Sequence, residues 1–312
     1  MKEESGQKGQ QINDPGIGTQ FERATKRVIN PDGSYNIHRK GVRHGIRDIF
    51  RYLTEIPWPK FFLLLFCGYV VINVFFTIIY LICGFENIAG IDPKNGNVYF
   101  QAFFFSIQTF TTVGYGTLAP LGVATQTVAA IEAFVGFMSF SLATGLLYGR
   151  FSRPTSRIVF SDHILYSKHK DGYSFKLKLA NERDTVLLEA EAKIIATFDE
   201  VDEKGDITKR YFRPVLEIDH IDLMPFTWTL VHYIDNDSPF FGMDKDDLLK
   251  ANVEFLIMFK AYSEVFGTYI HTRKSYTEED IIWNKNFRKI FNPNAHGIIE
   301  LDIREINDLI DE

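Results

Sequence analysis

Hydrophobic positions form one long uninterrupted stretch early in the chain. No residue between Lys60 and Glu86 is charged, and residues 61–83 are rich in Phe, Leu, Ile and Val. A helix rises about 1.5 Å per residue, so this stretch exceeds the roughly 30 Å hydrocarbon core of a bilayer. We therefore predict a membrane-spanning helix here rather than the core helix of a soluble domain.

A second apolar stretch covers residues 95–149, and its only charged residue is Glu132. It is too long for one crossing and too short for two crossings with their loops. We predict a half-helix at residues 99–110, a non-helical segment, and a second spanning helix at residues 123–148. Non-helical backbone at membrane depth is tolerated only where it is buried in protein or lines a water-filled path.

After Pro154 the hydrophobic pattern shortens to runs and alternations that are typical of β-strands. The predicted strands are residues 158–160, 174–179, 187–198, 213–221 and 253–259. Turn signals at residues 170–172 and 203–206 lie between some of them. We therefore predict an all-β sandwich of roughly 150 residues. The polar amino-terminal tail, to about Gly18, is expected to be disordered.

Basic residues lie on one side of both predicted spans. They are frequent in residues 23–60 and recur after the second span as Arg150, Arg153 and Arg157, whereas the loops between the spans offer only Lys94. The positive-inside rule then predicts cytoplasmic termini, with the non-helical segment near the outer face of the cell (inner) membrane. The amino terminus has no early apolar core, so no cleavable signal peptide is expected.

Composition excludes several other classes. Cys67 and Cys83 would lie more than about 20 Å apart on one helix, so no disulfide within the chain is expected. The net charge of −6 accompanies an acidic carboxyl end, which argues against a nucleic-acid partner. We also find no dinucleotide-binding glycine fingerprint, no helix of repeated arginines, and no metal-ligand spacing among the histidines.

The non-helical segment contains the run Thr112-Val113-Gly114-Tyr115-Gly116. Its glycines permit dihedrals that let successive carbonyl groups point the same way, and a threonine hydroxyl can extend the column of oxygens. Four copies around an axis would stack rings of oxygen that replace the hydration shell of K⁺. A glycine-rich turn is the alternative, but the membrane setting favours coordination of permeant K⁺ by backbone carbonyls only, with no cofactor.

The second predicted span repeats Phe140, Thr144 and Tyr148 every four residues, so the three share a face. If this stripe faces a pore axis, rings of Phe140 and Tyr148 would narrow the path and could gate it by dewetting. Lipid-facing or packing aromatics are the alternative. Gly136 and Gly145 flank the stripe and could permit bending or close helix approach.

Just before the first span, residues 45–57 place Ile46, Ile49, Phe50 and Leu53 on one helical face. Such a helix can lie in the plane of the lipid headgroups. An ordinary surface helix packed on its own domain is the alternative.

Together these features resemble the inward-rectifier potassium channels, over about residues 45–291. The resemblance is carried by the amphipathic stretch with Trp58 and Pro59, and by residues 109–116, 150–154, 231–239, 273–276 and 281–283. The lack of a paired-cysteine outer loop is similar to the family's bacterial branch. The family is not enzymatic.

The resemblance implies a homotetramer with a two-span α-helical pore domain and an all-β immunoglobulin-like cytoplasmic sandwich. The expected divisions are a cytoplasmic tail (1–44), an interfacial slide helix (45–58), the pore domain (59–153) and the sandwich (154–312). In the family the slide helix couples the sandwich to the pore, and the bundle-crossing gate falls at Tyr148.

Two departures from the family pattern alter these expectations. Phe140 stands where strong rectifiers have an acidic residue that attracts polycations, so block by polyamines is expected to be weak, although polyamines or divalent ions remain possible pore blockers. Gln108 stands where many relatives have a glutamate that braces the filter. Gln108 and Glu132 are left as filter-support candidates, and the sequence does not decide whether Glu132 lies behind the filter or near the cavity.

Anionic lipids are the other expected partner. Arginine presents a fork that suits phosphate, and relatives bind phosphoinositide headgroups at the positions of Arg150, Arg153, Arg157 and Arg183. Generic anchoring by positive charge is equally open for each of them. Asp184 replaces a second basic residue of eukaryotic relatives, which suggests a weaker or differently signed lipid response.

The resemblance also assigns a gate at the top of the cytoplasmic pore. It falls on the loop residues Val265, Phe266, Gly267, Thr268 and Tyr269, with Arg273 as a bracing residue. Two function classes remain open: a potassium channel gated from the cytoplasmic side, and a membrane-anchored binding module whose pore is vestigial.

Overall fold

The structure is a computed structural model of the 312-residue protein and describes residues 10–21, 27–30, 33–41, 45–94, 96–201 and 207–312. The described residues form two compact units. One is Gly41–Arg153, and the other is Pro154–Glu312 together with the described residues before Gly41.

The secondary-structure elements are numbered in chain order. The helices are α1 (Ile46–Glu55), α2 (Trp58–Cys83), α3 (Val98–Phe110), α4 (Gly122–Phe151) and α5 (Lys245–Lys250). The strands are β1 (Gln10–Ile12), β2 (Gln20–Phe21), β3 (Ile88–Ala89), β4 (Ala119–Pro120), β5 (Ile158–Phe160), β6 (Ile164–His169), β7 (Gly172–Asn181), β8 (Leu187–Val201), β9 (Ile207–Arg213), β10 (His220–Met224), β11 (Thr227–Ile234), β12 (Glu254–Ser263), β13 (Thr268–Thr277), β14 (Ile281–Trp283), β15 (Lys285–Phe287), β16 (Phe291–Pro293), β17 (Ile299–Leu301) and β18 (Leu309–Asp311).

Within the described residues, two helices are long and apolar enough to cross a membrane, α2 with 26 residues and α4 with 30. At 1.5 Å per residue they are about 39 and 45 Å long. The first begins at Trp58, earlier than predicted, because Pro59 is tolerated in the first turn, where its missing N–H leaves no hydrogen bond unmade. The short helix α3 begins after Asn97, whose side chain accepts the Tyr99 N–H at 2.9 Å.

Two sheets and the core between them form the second unit. The seven-stranded sheet has the order β1-β9-β8-β12-β13, with β10 paired to β8 and β2 to β9. The five-stranded sheet has the order β11-β7-β6-β14, with β5 paired to β7, and its β14 runs parallel to β6. Leu177 and Leu230 of the smaller sheet and Ile194 and Ile257 of the larger belong to one buried cluster. The predicted β-rich domain after Pro154 is therefore present.

Two predictions for this unit are wrong. Residues 213–221 are not one strand, because β9 ends at Arg213 and Pro214 cannot donate to the strand ladder. The tail is not disordered throughout to Gly18, because β1 pairs with β9 and Asp14 accepts the N–H groups of Gly16 and Ile17, both at 2.8 Å. Residues 1–9 and the turn predicted at 203–206 lie outside the described residues, whereas the turn at 170–172 joins β6 to β7.

Candidate functional site

The segment after α3 has backbone dihedrals that alternate in handedness. Thr112, Gly114 and Gly116 have positive φ angles of 57°, 54° and 84°, whereas the intervening Val113 and Tyr115 do not. Such alternation turns successive carbonyl groups toward one side of the chain. A β-branched residue at positive φ is a genuine outlier, and strain of this kind clusters at ligand-binding sites.

The carbonyl groups of this segment are free in the protomer. No hydrogen bond within the described residues ends on a carbonyl oxygen of residues 112–116. The side chains are also uncovered, since Val113 is 52% exposed and Tyr115 is 75% exposed. A column of oxygens without intramolecular donors is available to ligate a cation.

The segment is held at its start by the end of α3. The backbone carbonyl of Gln108 accepts the N–H groups of Val113 at 3.0 Å and Gly114 at 3.4 Å. The side-chain oxygen of Gln108 is buried and has no hydrogen-bond partner in the part of the chain that the structure describes. Gln108 therefore supports the segment through its main chain, so a displacement of α3 would pass directly to Val113 and Gly114.

Glu132 lies in the interface of three helices, α2, α3 and α4. It is 0% exposed, and its Oε2 accepts the hydroxyl of Tyr80 on α2 at 2.6 Å. Its Oε1 accepts the hydroxyl of Ser106 on α3 at 2.5 Å. The structure thus connects Glu132 to α2 and to α3, and its role in supporting the segment 112–116 stays a prediction.

Gly136, one turn further along α4, is a close-approach position. A Cβ built there would lie 1.9 Å from the carbonyl oxygen of Phe110, the last residue of α3. At Gly145 an added Cβ meets no atom within 4 Å. The two glycines therefore differ: the first lets α4 contact the main chain of α3, and the second has open space around it in the protomer.

The aromatic stripe on α4 is uncovered. Phe140 and Tyr148 are both 74% exposed, and Thr144 is exposed with its hydroxyl donating to the Phe140 carbonyl at 2.9 Å. The three share a face that contacts no other helix of the protomer closely enough to bury them. This face is available to a pore axis, to a neighbouring chain or to lipid.

Arg150, at the foot of α4, is bound to the end of α1. Its two Nη groups donate to the carbonyl oxygens of Leu53 at 2.5 Å and Ile56 at 2.7 Å. Its guanidinium carbon also lies 4.4 Å from the ring centroid of Trp58. The last carbonyls of a helix lack partners within the helix, so this arginine caps α1 and favours its negative dipole end.

Arg153 strengthens the same junction through an ion pair. Its Nη2 lies 3.0 Å from Oε1 of Glu55, which also accepts from Arg51 Nε at 3.0 Å. These hydrogen bonds from Arg153 and Arg51 lower the pKa of the Glu55 carboxyl below its ordinary value. The glutamate therefore stays ionised at neutral pH, and the amphipathic helix α1 stays connected to α4.

The other two arginine candidates lie in the β-rich unit. Arg157 is exposed, whereas Arg183 donates through Nη2 to the Thr155 hydroxyl at 2.6 Å and lies 5.0 Å from the ring centroid of Phe266. Phe266 belongs to the turn that joins β12 to β13, where Gly267 has a φ of 61°. Arg183 is thus a contact of the loop assigned to the cytoplasmic gate.

Arg273, the predicted bracing residue of the turn, contacts the amino-terminal segment. Its Nε donates to the carbonyl of Gly33 at 2.6 Å, and its guanidinium lies 4.0 Å from the Tyr35 ring centroid. These contacts tie the amino-terminal segment to β13, and the bracing of the turn by Arg273 stays a prediction. At the turn itself, Tyr269 donates its hydroxyl to Glu189 at 2.6 Å.

Sequence reasoning missed three residues that surround Glu132: Asn73, Tyr80 and Ser106. Asn73 and Ser106 are polar residues inside apolar helices, and both are fully buried. A polar residue in a membrane helix is a signal of function or of helix contact, and it could have identified these two. Tyr80 gives no such signal among the many aromatic residues around it.

Comparison with known proteins finds relatives of both units. Residues 158–311 match the family of inward rectifier potassium channel C-terminal domains, and residues 67–153 match an ion channel family. The inward rectifier potassium channel Kirbac3.1 of Paramagnetospirillum magnetotacticum is 32% identical over 285 residues, which cover 91% of this chain and 95% of the relative.

More distant relatives are animal proteins. The G protein-activated inward rectifier potassium channel 2 of Mus musculus is 26% identical, over 92% of this chain and 72% of the relative. The inward rectifier potassium channel irk-1 of Caenorhabditis elegans is 23% identical, over 88% of this chain and 55% of the relative.

Proposed function

Because the chain belongs to the inward-rectifier potassium channel family, we propose that it conducts potassium selectively and passively across the cell membrane. The observation that supports this most strongly is the segment 112–116, with its alternating dihedrals and its unbonded carbonyl groups. Carbonyl oxygens replace the hydration shell of K⁺ without any side-chain ligand. The protein requires no cofactor in this account, and K⁺ is its substrate.

The conducting form is a homotetramer. One column of carbonyl groups cannot surround an ion, whereas four columns make closed rings. The exposure of Val113 and Tyr115 in the protomer supports this, since contiguous apolar exposure next to a polar backbone indicates an interface. The chain is oriented with both termini in the cytoplasm, so the filter faces the outer side of the inner membrane.

In this proposal the channel has two gates, one on α4 and one in the β-rich unit. Phe140, Thr144 and Tyr148 line the inner path in this proposal, and four Tyr148 rings form its narrowest point. Their exposure on one face of α4 supports this assignment, because a face uncovered in the protomer is free to line a shared path. The turn with Val265, Phe266, Gly267, Thr268 and Tyr269 forms a second constriction in the cytoplasmic part.

Rectification is weak in this proposal. The inner path presents Phe140 and no carboxylate at that level, so it has little to attract spermine or a divalent blocker from the cytoplasm. Block by either cation would then depend on the cytoplasmic part of the path.

Anionic lipids modulate the channel in this proposal. Arg157 is exposed and can reach a lipid phosphate, whereas Arg153 is 46% exposed at its side chain and would have to exchange its ion pair with Glu55 for the phosphate. Arg150 and Arg183 are already engaged by carbonyl groups, hydroxyls and aromatic rings, so a phosphate would compete with those contacts. Such competition would connect lipid binding to the position of α1.

Potassium flux through purified full-length protein in liposomes tests the proposed function. The native protein is expected to pass K⁺ and to exclude Na⁺, and Gly114→Ala is expected to abolish flux or selectivity. An alanine at Gly114 meets no atom within 4 Å in the protomer, so it acts through the cost of a positive φ, about 1–2 kcal/mol per chain.

Gly242→Ala is the matched control, since Gly242 also has a positive φ, of 78°, with no atom near its added Cβ. It lies in the β-rich unit, so it should leave selectivity unchanged. Equal passage of Na⁺ and K⁺ through the native protein would refute the proposal.

A further inference from the structure

A buried polar network joins α2, α3 and α4. The carboxyl of Glu132 on α4 accepts one hydroxyl from α2 and one from α3, so each of its oxygens has a donor on a different helix. Ion pairs to Glu132 are absent among the described residues. The carboxyl therefore acts through these two hydroxyl groups.

The network continues into α2 through an asparagine. The Ser106 hydroxyl lies 3.1 Å from both the carbonyl and the side-chain oxygen of Asn73, and Asn73 Nδ2 donates to the Tyr69 carbonyl at 2.8 Å. Ser106 has one hydroxyl proton for three acceptors, and its shortest contact is with Glu132. A buried polar network that spans three helices favours one arrangement of those helices, because a different arrangement leaves more of its polar groups unpaired.

The same network lies close to the filter along the chain. Ser106 precedes Gln108 by two residues, and the Gln108 carbonyl holds the N–H groups of Val113 and Gly114. One turn beyond Glu132, Gly136 lets α4 touch the Phe110 carbonyl. The hydrogen bond from Ser106 therefore holds the middle of α3 against α4, and the close contact of Gly136 with Phe110 holds its end.

We propose that Glu132 is a positioning residue for potassium selectivity, and this inference rests on the proposed function. Through Ser106 and Tyr80 it sets the rotation and depth of α3, and α3 in turn sets where the carbonyl groups of residues 112–116 lie. Side-chain support of the filter comes from behind α3, from a carboxyl on the inner helix, rather than from Gln108.

The test compares K⁺ and Na⁺ permeability of full-length protein in planar bilayers. The variants are Ser106→Ala, Tyr80→Phe and Glu132→Gln, and the control is Ser141→Ala. Ser141 is on the same helix as Glu132, and its hydroxyl donates only to the Phe137 carbonyl of that helix, at 3.0 Å. The melting temperature of the assembled protein is measured for every variant.

Each of the three variants is expected to lower the K⁺/Na⁺ permeability ratio by about tenfold, which corresponds to about 1.4 kcal/mol. Ser141→Ala should keep the native ratio. Adding Ser106→Ala to Glu132→Gln should lower the ratio little further, since the two residues act through one hydrogen bond. Where Glu132→Gln fails to assemble, Ser106→Ala and Tyr80→Phe decide the test, since each removes one hydroxyl and leaves the carboxyl in place.

The outcomes separate the two proposals. A native protein that does not discriminate K⁺ from Na⁺ refutes the proposed function. A selective native protein whose Ser106→Ala and Tyr80→Phe variants melt at a lower temperature but keep the native ratio refutes the inference alone, because the network would then only stabilise the fold. Fully additive losses in the double variant would also overturn it.

Discussion

Gly136→Ala would place a methyl group against the main chain of α3. The new Cβ would lie 1.9 Å from the Phe110 carbonyl oxygen, 2.8 Å from its carbonyl carbon and 3.1 Å from its Cα. All three atoms belong to the backbone, so no side chain can rotate away to make room. Relief requires α3 and α4 to move apart.

The required displacement is large for a packed interface. Ordinary heavy-atom contacts fall near 3.5 Å, so the gap must open by roughly 1.5 Å. Overpacking of this kind costs about 1–3 kcal/mol per chain, or about 4–12 kcal/mol for the proposed tetramer. The better helix propensity of alanine offsets only about 0.5–1 kcal/mol per chain. Because Phe110 is followed by Thr111 and Thr112, the displacement should reach the filter.

Gly145→Ala is the matched comparison on the same helix. Its added Cβ meets no atom within 4 Å, so only the gain in helix propensity applies in the protomer. We expect Gly136→Ala to lower both the melting temperature of the assembled protein and its K⁺/Na⁺ flux ratio in liposomes, and Gly145→Ala to lower neither. If Gly136→Ala keeps the native melting temperature and flux ratio, α4 does not pack against the main chain of α3 at Gly136. A change in flux with an unchanged ratio would instead indicate a hinge at Gly136.

Three further predictions concern the path below the filter and its support. Tyr148→Ala should raise basal K⁺ flux in liposomes if the channel rests closed, since it removes the ring that is proposed to form the narrowest point of the path. Phe140→Asp should strengthen the block by spermine applied from the cytoplasmic face and make its voltage dependence steeper. The reason is that up to four carboxylates in a narrow, partly dehydrated cavity attract a polycation more strongly than they would in bulk water. Arg150→Lys keeps the charge but loses the planar fork whose two separate nitrogens donate to the two carbonyl groups, so it should lose about 1 kcal/mol per chain and lower the melting temperature.

Each of these has a decisive contrary result. The Tyr148→Ala protein is compared with the native protein after tetramer assembly and a closed resting state have been confirmed. Unchanged flux would then show that the aromatic stripe does not face the pore axis. Native spermine block as strong as that of Phe140→Asp would refute the rectification argument. Arg157→Lys is the control for Arg150→Lys, since Arg157 is exposed. Equal melting temperatures for the two lysine variants would contradict the capping role of Arg150.

The membrane part was predictable because its constraints are local in sequence. A long stretch of uncharged residues predicts a membrane-spanning helix. The ends of α2 and α4 lie within three residues of the predicted ends. The alternation of φ in residues 112–116 also follows from the order of glycines and larger residues. The strand predicted at 213–221 failed because Pro214 ends a ladder whatever the apolar pattern around it suggests.

The sequence could not predict hydrogen-bond partners that are distant along the chain. Arg150 at a membrane exit has the pattern of a lipid ligand, yet its acceptors in the fold are carbonyl groups 97 and 94 residues earlier. Glu132 likewise meets hydroxyl groups 26 and 52 residues away. A lone charge in an apolar helix indicates that a partner exists, and only the packing of the helices decides which one.

Residues 112–116 are the proposed source of selectivity for K⁺. The most direct measurement is the reversal potential of the purified native protein in a planar bilayer with K⁺ on one side and Na⁺ on the other. Each tenfold of selectivity shifts that potential by about 59 mV, so a selective filter should give a shift of about 100 mV or more. A reversal potential near zero, from assembled protein that conducts, would contradict the account.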